Sequence, residues 1–212
     1  MNNIIQKRET FLKLKFEYFK GVFIPHIITK RFIILVEKFL FKKEVYTIID
    51  MCSGSGIIGL SLSKFFSIKK TYCIDTSSTS RKNIEHNIVL NSFKDIFVMS
   101  GLSKIMIGDF SQTVLVSNPP YIGKTERNSS SIKKFEDITL QPKKGLYTKD
   151  LLGLSLFKII ASFAYLKKIP YVFLEHNSLH KKELDKLMLK KDYECVYFDQ
   201  QTKKISFYQI KK

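Results

Sequence analysis

The chain has 212 residues, enough for one domain with a substantial core. At 44% hydrophobic and 26% charged residues its composition is globular, which excludes a disordered chain, and no apolar run reaches the ~18–20 residues of a membrane span. Thirty-six Lys and Arg against 19 Asp and Glu leave a net charge of +17; this points either to a polyanionic partner, RNA or a ribosome, or to compositional drift, since Lys outnumbers the Arg favoured for groove reading and is accompanied by abundant Ile, Phe and Asn.

Cys52, Cys73 and Cys195 are far apart and odd in number, with neither metal-ligand spacing nor a disulfide framework. No metal is expected, and a cytoplasmic location is. The opening Met1-Asn2-Asn3-Ile4-Ile5-Gln6-Lys7 has no signal-peptide apolar core, which supports the same expectation.

In chain order, residues 1–20 mix polar and aromatic side chains and can form a short helix. A helical stripe runs from near Ile28 to Leu40. Val45–Asp50 is apolar and β-branched, the pattern of a strand buried on both faces. The turn Met51–Gly56 leads into a helix over Ile57–Phe66. Thr71–Asp75 is a second strand, and Thr76-Ser77-Ser78 offers N-caps to an amphipathic helix over Arg81–Leu90. Ile96–Met99 and Val114–Ser117 are strands three and four, and Gly123–Lys144 is a polar, Ser-rich loop. Leu151–Leu166 is a long helix, Tyr171–Glu175 a fifth strand, and Ser178–Lys191 a Lys-rich helix. Tyr193–Asp199 and Lys204–Ile210 alternate as a closing antiparallel hairpin. This order predicts an α/β fold, a doubly wound and mostly parallel seven-stranded sheet with ligands at the carboxyl ends of its strands.

Asp50, Gly54, Gly56, Asp75 and Asn118 all fall at such ends, on one edge of one sheet. Gly54 and Gly56 let the backbone approach a ligand. No Gly-Lys-Ser/Thr follows, which excludes a phosphate-binding loop of that type. Gly54-Ser55-Gly56-Ile57-Ile58-Gly59 does match a dinucleotide fingerprint, so NAD competes on the loop alone. Asp50 directly before the loop would repel a pyrophosphate and suits a cationic amino-acid tail. The fourth strand ends at Asn118-Pro119-Pro120-Tyr121. Neither proline donates a backbone hydrogen bond, so the Asn118 and Pro119 carbonyls are left as acceptors beside an aromatic ring, suited to a substrate that brings an NH2 group. S-adenosylmethionine fits the whole set: a ribose diol, a zwitterionic tail, and a methyl group aimed at an amine or amide.

These blocks, in order from Gly21 onward, resemble the release-factor glutamine methyltransferase family of class I methyltransferases. Gly21-Val22-Phe23-Ile24-Pro25-His26 is similar to its opening block and Ile49–Gly56 to its cofactor loop. Cys73–Ser77 is similar to its ribose segment, Val116–Ile122 to its Val-Ser-Asn-Pro-Pro-Tyr-Ile signature, and Gln141–Leu154 and Phe173–His176 to its later blocks. Departures stand at Cys52 (a glycine in the family pattern), at His26 (an arginine), at Leu102, where an acidic residue is expected nearby, and at Gln141 (a glutamate). The resemblance implies a Rossmann-like methyltransferase domain over residues 21–212, with residues 1–20 as a remnant of an N-terminal helical domain. It implies S-adenosylmethionine held by Asp50, Ser53, Gly54, Gly56 and Asp75. Asn118, Pro119 and Tyr121 would carry catalysis, with Pro120 also at the substrate. The product would be N5-methylglutamine in the Gly-Gly-Gln loop of a peptide-chain release factor. An RNA or DNA exocyclic-amine methyltransferase, acting on adenine or guanine through the same acceptors, is the alternative, and a non-enzymatic descendant a third reading. Among the histidines, His176 is a candidate pocket residue, His86 a boundary residue and His180 a solvated one.

Overall fold

A computed structural model describes residues 4–66, 68–105, 108–125 and 141–211. Strands β1 (Ile5–Phe11) and β2 (Leu14–Phe19) pair antiparallel across Leu12 and Lys13, both with positive φ (52° and 63°), as a two-residue hairpin turn requires. The short helix expected within residues 1–20 is therefore corrected to a β-hairpin. Its signal is the alternation of buried Leu14, Phe16 and Tyr18 with Lys15 and Glu17, a period of two.

Helix α1 (Ile27–Leu40), β3 (Thr47–Met51), α2 (Ile57–Phe65), β4 (Lys70–Ile74), α3 (Ser78–Leu90), β5 (Ile96–Met99) and β6 (Thr113–Ser117) follow. After a single helical turn α4 (Lys143–Leu146) come α5 (Ser155–Leu166), β7 (Tyr171–Glu175), α6 (Lys181–Leu189), β8 (Tyr193–Phe198) and β9 (Ile205–Ile210). The large sheet has the order β5-β4-β3-β6-β7-β9-β8, parallel through β7 and antiparallel for the closing hairpin. This is the seven-stranded α/β sheet that the strand–helix alternation predicts. Two helix starts differ from expectation for local reasons. Ser77 accepts a hydrogen bond from Ser80 N and so caps α3 at Ser78, ahead of Arg81. The segment Leu151–Gly153 is not helical, because Gly153 has a left-handed φ of 71° and Asp150 accepts from Leu154 N, which delays α5 to Ser155. Of the predicted loop Gly123–Lys144, residues 126–140 lie outside the described residues.

Alternating side chains split the core between the two faces of the sheet. Ile48, Val114, Val116 and Phe173 pack with α1, α2 and the hairpin side chains Leu14, Phe16 and Tyr18; Ile49, Leu115, Val172 and Leu174 pack with Phe157, Ile160, Leu184 and Met188 of α5 and α6. Part of the positive charge has a positional cause. The pairs Lys42-Lys43, Lys69-Lys70, Lys167-Lys168 and Lys190-Lys191 lie at helix-to-strand turns on the edge away from the strand carboxyl ends, where helix C-termini favour cations.

The hairpin docks through an asparagine ladder. Asn83, Asn87 and Asn91 recur at four-residue spacing on one face of α3 and at its C-cap. Their side-chain carbonyls accept from Phe19 N (3.1 Å), Glu17 N (3.0 Å) and Lys15 N (2.8 Å), so side chains satisfy the edge of β2 as a neighbouring strand would. Asn83 and Asn91 return their amide N–H groups to Glu17 O and Lys15 O, whereas the buried Asn87 donates to Ser55 O in the turn after β3 (3.0 Å). One side chain thus ties the hairpin to the glycine turn. Asn87→Ala strands a backbone donor and a backbone acceptor, and is expected to cost ~2–4 kcal/mol in urea unfolding. The more exposed Asn91→Ala is expected to cost under ~1.5 kcal/mol in the same measurement.

Candidate active site

A cleft of about 1140 Å³ opens at the carboxyl ends of β3, β4 and β6. The turn after β3 is built from left-handed residues: Cys52 (φ 60°), Gly54 (58°) and Gly56 (82°). Cys52, standing where the family pattern has glycine, therefore holds a conformation that a side chain disfavours. Ser53 Oγ donates to Asp50 O (2.6 Å) and accepts from Ile74 N (2.8 Å), closing the turn across β3 and β4. A Cβ placed on Gly54 would meet no atom within 4 Å, so its backbone lies open towards the cleft.

Asp75 follows β4 and lines the cleft. Its Oδ2 accepts from Gly54 N (2.9 Å) and its Oδ1 from Ser77 N (2.8 Å), so one carboxylate fixes both the glycine turn and the entry to α3. Burial raises its pKa against the pull of those two backbone donors. Each oxygen keeps further acceptor capacity, the chemistry a vicinal diol needs.

Asp50 stands beneath the turn, fully buried, and neither it nor Gly56 is among the cleft-lining residues. Its Oδ2 accepts from Gly59 N (2.9 Å), whose missing Cβ would lie 3.1 Å from the same oxygen. Burial, with Asp75 nearby, pushes Asp50 up to about 7. The folded value lies above the unfolded one of ~3.9, so the native state binds the extra proton between them and Asp50 costs stability as pH rises from about 4 to about 7. Asp50→Asn is expected to gain stability relative to the parent at about pH 8 over about pH 5; urea unfolding at both values measures it.

Asn118 follows β6 and is held from two other elements. Its Nδ2 donates to Thr29 Oγ1 of α1 (3.0 Å), and Thr29 Oγ1 donates to Glu175 Oε2 at the end of β7 (2.8 Å). Pro119, Pro120 and Tyr121 line the cleft with it, and the Tyr121 ring meets His180 edge-on at 6.2 Å. The following backbone is clasped on both sides. Ile122 N donates to Leu146 O and Thr148 N to Ile122 O, both at 3.0 Å, while Lys124 N donates to Asp150 O (3.1 Å). Buried Gln141 grips the opening block: its Oε1 accepts from Ile24 N (2.8 Å) and its Nε2 donates to Ile24 O (2.9 Å). An ionised glutamate could make only the first of these bonds.

Asp75, Ser53, Gly54, Asn118, Pro119, Pro120 and Tyr121 thus share one cleft, whereas Asp50 and Gly56 support it from below. His176 is buried outside the cleft lining, with its ring nitrogens on Ser206 Oγ and Asn177 O, both at 2.8 Å, and burial lowers it to about 4. His180, expected in solvent, is buried, and His86 bonds Glu17 at the hairpin. Sequence reasoning passed over Thr29 and Glu175. An acid ending an apolar parallel strand was the signal that singled out Asp50 and Asp75, and Glu175 carries the same signal. Among the described residues no group of three or more His, Cys, Asp or Glu side chains is placed to hold a metal, and no helix is long and apolar enough to cross a membrane.

Residues 13–139 match the methyltransferase small domain family (MTS). The chain is 31% identical over 187 residues to the release factor glutamine methyltransferase of Fusobacterium nucleatum, covering 84% of this chain and 50% of that protein. It is 33% identical to the same-named protein of Buchnera aphidicola, over 77% of this chain and 58% of that one. The chain therefore spans about half of the length of these curated relatives. In fold it is similar to T. thermophilus 16S rRNA N2 G1207 methyltransferase in complex with AdoMet and guanosine (TM-score 0.68, 13% identity, 97% of this chain and 50% of that). It is also similar to the ribosomal protein L11 methylase of Lactobacillus delbrueckii (TM-score 0.59, 18% identity, 91% and 83%). The strand order, the glycine turn and the match over residues 13–139 agree: this chain belongs to the methyltransferase small domain family and has the class I methyltransferase fold.

Proposed function

We propose that the chain methylates the side-chain amide nitrogen of a glutamine from S-adenosylmethionine, and that the glutamine belongs to the Gly-Gly-Gln motif of a peptide-chain release factor. The observation that carries this reading is the polarity of Asn118. Its NH2 is engaged by Thr29, so its carbonyl is the group left for the cleft. An acceptor there, joined by the Pro119 carbonyl, suits a substrate NH2. The names of relatives at about 30% identity support the choice of glutamine.

The residues present fit the cofactor. Asp75 offers acceptors for a ribose diol, and Gly54 and Gly101 leave open space where a Cβ would project. S-adenosylmethionine supplies a methyl group on a cationic sulfur, a good electrophile. An amide nitrogen is a poor nucleophile because its lone pair is delocalised, so this chain contributes orientation and charge stabilisation. Asn118 Oδ1 and Pro119 O accept the two amide hydrogens and hold the nitrogen for attack. On methyl transfer the N–C bond would form as the C–S bond breaks, and those two carbonyls would stabilise the positive charge growing on nitrogen. The surplus proton then passes to water without a dedicated base. Tyr121 packs against the glutamine side chain.

Incubation with labelled S-adenosylmethionine, a release factor and total unmodified RNA tests the reading. Label in the release factor is expected, abolished when its Gly-Gly-Gln glutamine is replaced. Label in RNA alone would overturn it and assign the same acceptors to an exocyclic amine.

A further inference from the structure

We infer that Glu175 is a positioning residue which, through Thr29, decides whether the carbonyl or the NH2 of Asn118 meets the substrate. The inference rests on Asn118 being the substrate acceptor. Strands β6 and β7 are adjacent and parallel, with Ser117 opposite Leu174, so the next positions along them, Asn118 and Glu175, emerge side by side at the carboxyl edge. Helix α1 lies across that edge and inserts Thr29 between them; Thr29 and Glu175 are both buried.

The hydroxyl of Thr29 has a single proton. A carboxylate can only accept, so that proton goes to Glu175 Oε2 at 2.8 Å, and a Thr29 lone pair is left for Asn118. Only the NH2 of the amide can meet a lone pair. It does so at 3.0 Å. The amide carbonyl is therefore turned the other way. A protonated Glu175 removes the constraint. It can donate to Thr29, Thr29 can then donate to Asn118 Oδ1, and an amide rotated by half a turn presents NH2 to a substrate that also brings NH2. The polarity of the whole site depends on one proton at the far end of a two-bond chain.

A charge in this place has no evident structural use. A buried carboxylate is costly, and an apolar or amide side chain of similar size is commonly as stable. Burial pushes Glu175 up to about 7 against the hydrogen bond from Thr29, the nearby charge of Lys204 and the hydrogen bond from Asn118. The adjacent His176 is held neutral near pH 7 by its own burial and does not share the titration. The switch between the two amide orientations thus falls near neutrality, with the carbonyl-out form on the alkaline side.

Two measurements test this. In the first, methyl transfer is followed against pH in the parent, Glu175→Gln and Thr29→Val. The parent is expected to lose turnover on the acid side with a midpoint near 7. Glu175→Gln, which can offer Thr29 either a donor or an acceptor, is expected to lose about tenfold in kcat with little change in cofactor affinity and to show no acid limb. Thr29→Val is expected to behave alike, the double variant to be no worse than either single one, and Thr29→Ser to restore the parent profile. The second needs no turnover. NMR of the Asn118 side-chain amide is expected to show its resonances shifting with the Glu175 carboxyl at a common midpoint, and the shift to vanish in Glu175→Gln. If neither release factor nor RNA is methylated but the NMR coupling is present, the proposed reaction fails and the positioning role stands. An Asn118 amide indifferent to Glu175, or an unchanged acid limb in Glu175→Gln, overturns the inference.

Discussion

Asn118→Ala is expected to lower methyl transfer by ~10²-fold or more while leaving cofactor affinity within about twofold. The expectation follows from where the side chain is anchored. Asn118 makes its hydrogen bond to Thr29 at the edge of β6 and β7, whereas the groups proposed to meet the cofactor, Asp75 and the turn Cys52–Gly54, stand at the ends of β3 and β4. Truncation removes the acceptor proposed for the substrate and leaves Thr29 with an unused lone pair, without touching Gly54 or Ser77. The backbone of the segment is pinned independently, at Ile122 by Leu146 and Thr148, so the two prolines stay in place. Single-turnover transfer and calorimetric titration of the cofactor separate the two effects. An equal loss in both would make Asn118 a structural residue and remove the acceptor on which the proposed reaction depends.

Gly153→Ala is expected to be as damaging to transfer and to cost ~2–4 kcal/mol of stability, from strain at a disfavoured left-handed dihedral together with a steric clash. A Cβ at Gly153 would lie 1.9 Å from Tyr121 O, and Gly153 has a left-handed φ of 71°. Retreat is blocked from the other side, since a Cβ on Gly123 would in turn lie 2.2 Å from Leu151 O. The two backbones therefore touch directly, and hydrogen bonds from Lys124 N to Asp150 O and from Thr125 N to Leu151 O hold them together. Asp150 anchors the clasp to α5 through Leu154 N and Ser155 Oγ. Those hydrogen bonds, with one from Thr148, outweigh its burial and hold the carboxyl at about 2. Any shift that relieves the alanine moves Tyr121 and, through it, the prolines and Asn118. Gly108→Ala is the control. Gly108 is outside the cleft lining and its φ is not left-handed, and its Cβ would meet nothing within 4 Å, so stability and transfer are expected to be unchanged. Stability and transfer are measured on both variants; a Gly153→Ala protein with parent values would mean that the clasp does not position the Asn118–Tyr121 segment.

The sheet and one edge of the cleft were legible in the sequence because their determinants act over a few residues. The β-branched runs ending in Asp50, Asp75 and Ser117 specify strands, the two prolines after Asn118 force an exit from the sheet, and Gly54 and Gly56 permit the left-handed turn that the structure contains. What sequence reading missed depends on partners far apart in the chain. The hairpin over residues 5–19 takes its edge hydrogen bonds from asparagines 64 to 76 positions away, and a period of two over six residues did not outweigh the chance of a helix. Asp50 reads as a cleft residue until the packing of Gly59 against it shows that it lies one layer down. Thr29 and Glu175 meet across 146 positions, and Gly153 is needed only because Tyr121 returns against it. Local runs and turn residues specify which strands end in chemistry. Which of those groups reach the cleft, and which way the Asn118 amide faces, follow from the folded packing, because burial and hydrogen-bond direction belong to pairs of groups brought together by the fold.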